Sequence, residues 1–176
     1  MRRWFYTGLS IGALLLFALG APPARASWMV APVPYRPKDF ALIKKDGVYH
    51  LFYIRHNTSL SGAYTETDFG HATSTDLYNW TQQPPVLPVR PAAWDNQHVW
   101  APSIVENHGV YTLFYCGVTN LPGTYNSFQR IGLAASADLF NWARFDQPVF
   151  SCDQVPWAVC DPLNADATGF RDPTVV

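Results

Sequence analysis

Charge is scarce in this 176-residue chain: 14% of residues are charged and the formal net charge is −1. A surface so near neutrality argues against a nucleic-acid or anionic-membrane partner. Glutamate is scarcer still, with Glu66 and Glu106 the only two. Of the three cysteines, no two stand at zinc-ligand spacing with histidines nearby, so a structural zinc site is not expected. No stretch holds a sustained helical period, which disfavours a helix-containing repeat. What the chain does hold is 48% hydrophobic and 15% aromatic residues, too apolar a mixture for a disordered chain. Fifteen prolines and eleven glycines suit a fold of many short strands and turns.

Residues 1–26 read as a secretory signal peptide. Arg2 and Arg3 open it with positive charge, Ile11 to Leu19 is apolar, and Ala24-Arg25-Ala26 has the small-x-small form of a cleavage site. The apolar run is too short to remain in a bilayer as a helix. The expectation is a secreted protein, extracellular or periplasmic, with no membrane contact after cleavage. Export permits disulfides, and Cys152 and Cys160, eight residues apart, are the candidate pair. Cys116 ends an apolar strand pattern and reads as a buried thiol.

The chain then repeats itself. Residues 40–53 match residues 102–115 at an offset of 62, both ending Gly-Val-Tyr-x-Leu-Phe-Tyr. Residues 69–80 match 131–142 at the same offset, both ending Ser-x-Asp-Leu-x-Asn-Trp. Two matches in one register indicate a structural repeat. Within each unit Asp46-Gly47 or His108-Gly109 joins two strand-like runs, a third follows near Phe69, and a fourth follows Trp80. Four antiparallel strands in about 60 residues predict an all-β propeller blade. Blade 1 is expected over about 35–90 and blade 2 over about 98–150. Residues 170–176 read as the first strand of a third blade, with Asp172 placed where Ala101 and Asp39 stand before. The 19-residue loop from 151 to 169 accounts for an offset there of 71.

These elements resemble the five-bladed β-propeller glycosidases, and most of all glycoside hydrolase family 43. The resemblance rests on Asp39 eight residues before Gly47, on Val99-Trp100-Ala101-Pro102-Ser103-Ile104, on the two Ser-x-Asp-Leu-x-Asn-Trp blocks and on Arg171-Asp172-Pro173. It implies a propeller whose blade-opening strands line a central axis, with three carboxylates at its mouth. Asp39 would be the base that activates water, Asp172 would orient and tune the acid, and the acid would be a glutamate on a later blade. An inverting glycosidase needs its two carboxyl groups roughly 6.5–9.5 Å apart, which suits residues on different blades. Here Phe40 follows Asp39 where that family usually has proline. Neither Glu66, in a mid-blade loop, nor Glu106, near the outer hairpin, is expected to face the axis. A chain without that glutamate should not catalyse by itself.

Around the two carboxylates, Trp100, Trp94, His98 and Arg171 are the candidate substrate contacts, with inter-blade packing the alternative for Trp100 and a loop anchor the alternative for Trp94 and Asp95. Asp76, Trp80, Asp138 and Trp142 recur in both units. A catalytic group is needed once and a turn residue in every blade, so these four read as structural. No cofactor is required, although such propellers leave room for a metal ion in the central channel. The leading expectation is a secreted, inverting hydrolase of arabinofuranosides or xylosides, with an oligo- or polysaccharide as partner. A fructosidase or glycoside phosphorylase on the same fold is the alternative enzyme, although the Asn-Asp-Pro-Asn opening typical of fructosidases is not present. A non-catalytic carbohydrate-binding propeller is the alternative outside catalysis.

Overall fold

The computed structural model describes residues 35–59, 65–119, 128–161 and 169–176. The expected signal peptide lies outside the described residues, among which no helix is long and apolar enough to cross a membrane. Eight strands follow in chain order: β1 (Tyr35–Lys45), β2 (Val48–Asn57), β3 (Phe69–Ser74), β4 (Thr81–Val86), β5 (His98–Asn107), β6 (Val110–Thr119), β7 (Phe128–Ser136) and β8 (Ala143–Arg144). They form two antiparallel four-stranded sheets, β1-β2-β3-β4 and β5-β6-β7-β8, as the 62-residue repeat predicts. Strands β1 and β5 approach one another, so the opening strands of the two blades are neighbours.

Local chemistry explains the repeat. Asp46 and Gly47 take φ of 49° and 85°, and His108 and Gly109 take 49° and 82°. Two consecutive left-handed residues make the hairpin turn whose twist matches its strands. At the opposite edge, Asp76 Oδ1 accepts the amides of Tyr78 and Asn79 at 2.8 and 2.7 Å, and Asn79 Nδ2 donates to Oδ2 at 2.7 Å. Asp138 does the same with Phe140 and Asn141 at identical distances. The amide and side chain of the asparagine hold each aspartate well below the usual carboxylate range. The structural reading of this pair is thus accounted for by hydrogen bonds.

Gly70 and Gly132 recur for another reason. The Tyr53 ring lies across Gly70 and the Tyr115 ring across Gly132, so a Cβ at either glycine would fall inside the ring. A Gly132→Ala variant is expected to lose about 1–3 kcal/mol of stability, read as a lower urea midpoint at unchanged m-value.

The core lies between the blades, and the Ser-x-Asp-Leu-x-Asn-Trp turn of blade 2 reaches across to fill it. Leu139 is fully buried, whereas its counterpart Leu77 in blade 1 is 44% exposed. The ring of Phe140 lies 5.4 Å from His50 and 5.0 Å from His71, and Trp142 meets Phe52 edge-on at 5.5 Å. Trp80 donates its Nε1 to Leu77 O at 3.1 Å, but the Nε1 of Trp142 has no partner. Trp142 has thus given up that bond for the inter-blade contact.

Beneath this turn two buried histidines face each other, with His50 Nδ1 3.0 Å from His71 Nε2. Burial first, and then the facing His50, pushes His71 down to about 4. Burial first, and then Lys45, lowers His50. Both rings are therefore held neutral in the fold, while the unfolded chain takes up protons from about pH 6.5 downward. Stability is fully present above that pH and is lost as pH falls toward 4, where His71 in the fold begins to titrate. A loss of roughly 3 kcal/mol from His71 is expected across this window. Urea midpoints at pH 7 and pH 4.5 would measure it, and His71→Leu, which copies Leu133 of blade 2, should flatten the difference.

Candidate functional site

Each antiparallel hairpin reverses direction, so the end where β1 and β5 start also carries the link 87–97, the segment that leaves β8 from 145 onward and the end of β2. At this end the inner-strand ladders break. In β1 the register shifts between Lys38 and Phe40, which leaves Asp39 as the unpaired bulge residue. In β5 it shifts between Trp100 and Ser103, with Ala101 at φ 47°. Asp172 takes φ 62° and, like Ala101, precedes a proline. A non-glycine residue in that region is uncommon and costs free energy, and a bulge re-aims its side chain. Asp39 and Ala101 thus share a break in the ladder, and Ala101 and Asp172 share a left-handed backbone before a proline.

Residues 169–176 pair in no ladder, in contrast to the expected opening strand. An opening strand pairs with the strand that follows it, as β1 does with β2. The segment instead borders β5, where the Val175 amide donates to Ser103 Oγ at 3.2 Å. The Asp172 carboxylate is solvent-exposed, and Arg171 Nε lies 3.4 Å from its Oδ2. The Asp39 side chain is also exposed. Beneath this segment Cys116 is a fully buried free thiol, as expected, pushed up by burial first and then by the charge of Asp172.

The aromatic candidates divide. The His98 and Trp100 rings stack at 5.0 Å and 9°. His98 is buried, and burial, partly offset by Glu66, lowers its pKa. Neither His98 Nδ1 nor Trp100 Nε1 has a hydrogen-bond partner. Trp100 is half-buried and packs against the inter-blade core, as the packing alternative has it, while part of its surface stays accessible. Trp94 is covered: it is 8% exposed, stacks 6.0 Å from Tyr115, and covers Gly117 where a Cβ would clash. Its ring is part of the inter-blade core. The anchor alternative accounts for it, as it does for the next residue. Asp95 is completely buried and takes Arg90 Nε at 2.9 Å, Arg144 Nη1 at 2.8 Å and the Tyr115 hydroxyl at 2.9 Å.

Glu66 was expected in a mid-blade loop away from the axis. It is 1% exposed and bound to the inner strand, with Oε1 taking Lys38 Nζ at 2.6 Å and facing His56 Nδ1 at 3.0 Å. Its neighbour in that contact, Lys38, directly precedes Asp39. So closed a position leaves Glu66 unable to reach a glycosidic oxygen, and it serves to fix the strand beside Asp39. Glu106 accepts the Gly109 amide at the hairpin. Sequence reasoning missed Glu66 because its partner is 28 residues away. Cys152 and Cys160 form the expected disulfide. Among the described residues no group of three metal-ligating side chains comes together.

The family model that matches is that of the glycosyl hydrolases family 32 N-terminal domain, over residues 39–176. The family 43 resemblance therefore holds at the level of propeller glycosidases, and family 32 is the more specific assignment. Among curated relatives, a 6(G)-fructosyltransferase of Asparagus officinalis is 32% identical over 138 residues, which is 74% of this chain and 20% of that protein. A fructan 6-exohydrolase of Beta vulgaris is 34% identical over 135 residues, 73% of this chain and 20% of the relative. This chain thus spans about a fifth of the length of the curated relatives it matches. Among solved structures, a family 32 β-fructofuranosidase of Bombyx mori aligns at TM-score 0.58 and 24% identity, over 78% of this chain and 26% of that one. A family 43 β-xylosidase/α-arabinofuranosidase from a compost metagenome aligns at 0.53 and 15%, over 66% and 36%. Both likenesses bear on the fold alone.

Proposed function

This chain belongs to glycosyl hydrolases family 32 through the N-terminal domain, and from that premise we propose that it is the opening part of a secreted propeller enzyme that cleaves or transfers fructofuranosyl units. The observation that carries the reading is the family match from Asp39 to Val176, which takes in the bulged Asp39 of β1 and the left-handed Asp172 beside β5. Relatives named for fructosyl transfer and fructan hydrolysis support fructofuranosides over the arabinofuranosides or xylosides that the family 43 resemblance implied.

The chemistry follows from the bond to be broken. The anomeric carbon of a departing sugar gains positive charge, the leaving oxygen needs a proton, and two carboxyl groups on opposite faces supply these needs. Asp39, aimed by its bulge, is the carboxylate that acts at the anomeric carbon. Asp172, exposed and steadied by Arg171, holds the sugar and the developing charge from the neighbouring blade. The acid comes from outside the described residues. Trp100 offers a hydrophobic edge to the sugar. The inverting course expected earlier came with the family 43 resemblance and is not carried into this proposal. Export of the protein follows from its leader-like first 26 residues.

The test is a substrate panel on the longest product of the gene: sucrose, a fructan oligomer, and aryl arabinofuranoside and xyloside. Release of fructose from the first two with no cleavage of the aryl glycosides is the expected result. Cleavage of the aryl glycosides alone would return the assignment to the arabinofuranoside class. Sugar binding with no cleavage of any substrate would leave a lectin-like propeller.

A further inference from the structure

The loop that follows β8 toward the Asp172 segment carries an aromatic side chain that the described residues leave uncovered. Trp157 is 76% exposed. Its position is nonetheless tightly built. Phe150 bridges to Ile131 of β7, and its ring meets Phe170 edge-on at 5.2 Å, two residues before Asp172. Directly after Phe150, Ser151 and Gln154 exchange bonds, with the Ser151 amide donating to Gln154 Oε1 at 2.7 Å and the Gln154 amide to Ser151 O at 3.1 Å. Cys152 is buried and disulfide-bonded to Cys160. Inside that closed ring the Ala158 amide donates to Val155 O at 3.2 Å, which sets Pro156 and Trp157 at the tip of a turn.

A cross-link around eight residues removes chain freedom that an open loop would lose on binding. Holding a large apolar ring in water on such a loop brings no gain in packing, so its use lies in what it meets. The loop leaves from the end of the fold where β1 and β5 start, and it is fastened through Phe150 and Phe170 to the segment that carries Asp172. An indole presents a flat apolar face and an N–H donor, which match the C–H face and hydroxyls of a sugar ring.

We propose that Trp157 is a stacking platform for an outer sugar unit of an oligosaccharide, beyond the unit held between Asp39 and Asp172. This rests on the fructoside reading for the identity of the sugar, and on the loop geometry for the platform itself. Such a subsite makes affinity grow with chain length: a disaccharide does not reach it, and a longer oligomer does.

Calorimetric titration of the longest product of the gene, held from turnover by Asp172→Asn, with sucrose, an inulin-type oligomer, and arabino- and xylo-oligosaccharides tests both parts, comparing wild-type Trp157 with Trp157→Ala and Trp157→Phe. The Ala variant is expected to bind the fructan oligomer about three- to tenfold more weakly, with sucrose affinity unchanged and the Phe variant close to wild type. Because Trp157 is exposed, the thermal midpoint of both variants should match wild type. Equal oligomer binding by wild type and Trp157→Ala overturns the platform and leaves the fructoside reading intact. Length-dependent binding of xylo- or arabino-oligosaccharides alone, lost in Trp157→Ala, upholds the platform and overturns the fructoside reading. Failure of every oligosaccharide to bind wild type overturns the platform, as does a variant that changes only the sedimentation of the chain, which would make Trp157 a protein contact.

Discussion

Asp172→Asn in the longest product of the gene is expected to lower kcat for sucrose by about 10²–10³-fold, the range that loss of one electrostatic contact to the transition state costs. Asparagine is the informative replacement because, like aspartate, it tolerates the left-handed backbone that Asp172 adopts at φ 62°. The change therefore removes a charge and leaves the turn. Asp172 is 65% exposed at its side chain, and its one ion pair, with Arg171 at 3.4 Å, is also exposed. The melting temperature should then stay at the wild-type value, since surface pairs of this kind contribute little. Loss of turnover with retention of fold separates a catalytic group from a strand-start aspartate. Steady-state kinetics and a thermal melt on the same preparation make the comparison, and full activity in Asp172→Asn would remove the residue from the mechanism.

Asp95→Ala should have the opposite profile, a large loss of stability. Arg144 is almost as buried as Asp95 itself, and Arg90 and the Tyr115 hydroxyl complete the same cluster. Taking the carboxylate away leaves the Arg144 guanidinium in the protein interior without its counter-charge. Breaking one partner of a buried ion pair costs about 3–5 kcal/mol, far more than the pair contributes relative to an apolar replacement. That is a large fraction of the total stability of an ordinary domain. Chemical denaturation should show it directly, with the midpoint falling at constant slope. A loss below about 1 kcal/mol would mean that solvent reaches the cluster, and the loop 87–97 would then not be pinned as described.

The framework was legible because its signals are local and repeated. Asp46-Gly47, Ser74 to Trp80 and their copies 62 residues on each set a turn with neighbouring residues, and the turns fix the strand order. The disulfide was legible for the same reason, as its partners sit eight residues apart. The left-handed conformation at Ala101 and Asp172 supports the alignment of those two positions across a break in the repeat.

What escaped depends on contacts distant in sequence. Glu66 meets Lys38 across 28 residues, and nothing around it signals burial. The histidine pair left a trace: His50 and His71 stand where blade 2 has Thr112 and Leu133, a matched departure from the repeat at two diagonal positions on neighbouring strands. The packing of Trp94 could have been inferred from Gly117, whose missing side chain makes room for the indole. The family assignment turned on the opening element. Lys38-Asp39-Phe40 lacks the fructosidase signature, yet the family match starts at that same Asp39 and rests on the whole length that follows.

Asp39 and Asp172, from different blades, are proposed to flank one fructosyl unit. A crystal structure of the Asp172→Asn variant of the longest gene product, soaked with sucrose, tests this placement most directly. The fructosyl ring is expected between the two side chains, with the groups at positions 39 and 172 each in contact with it and the Asp39 carboxylate roughly 5–9.5 Å from the acid that faces it across the scissile bond. Sucrose bound away from the starts of β1 and β5, or with Asp39 turned from the sugar, would contradict it.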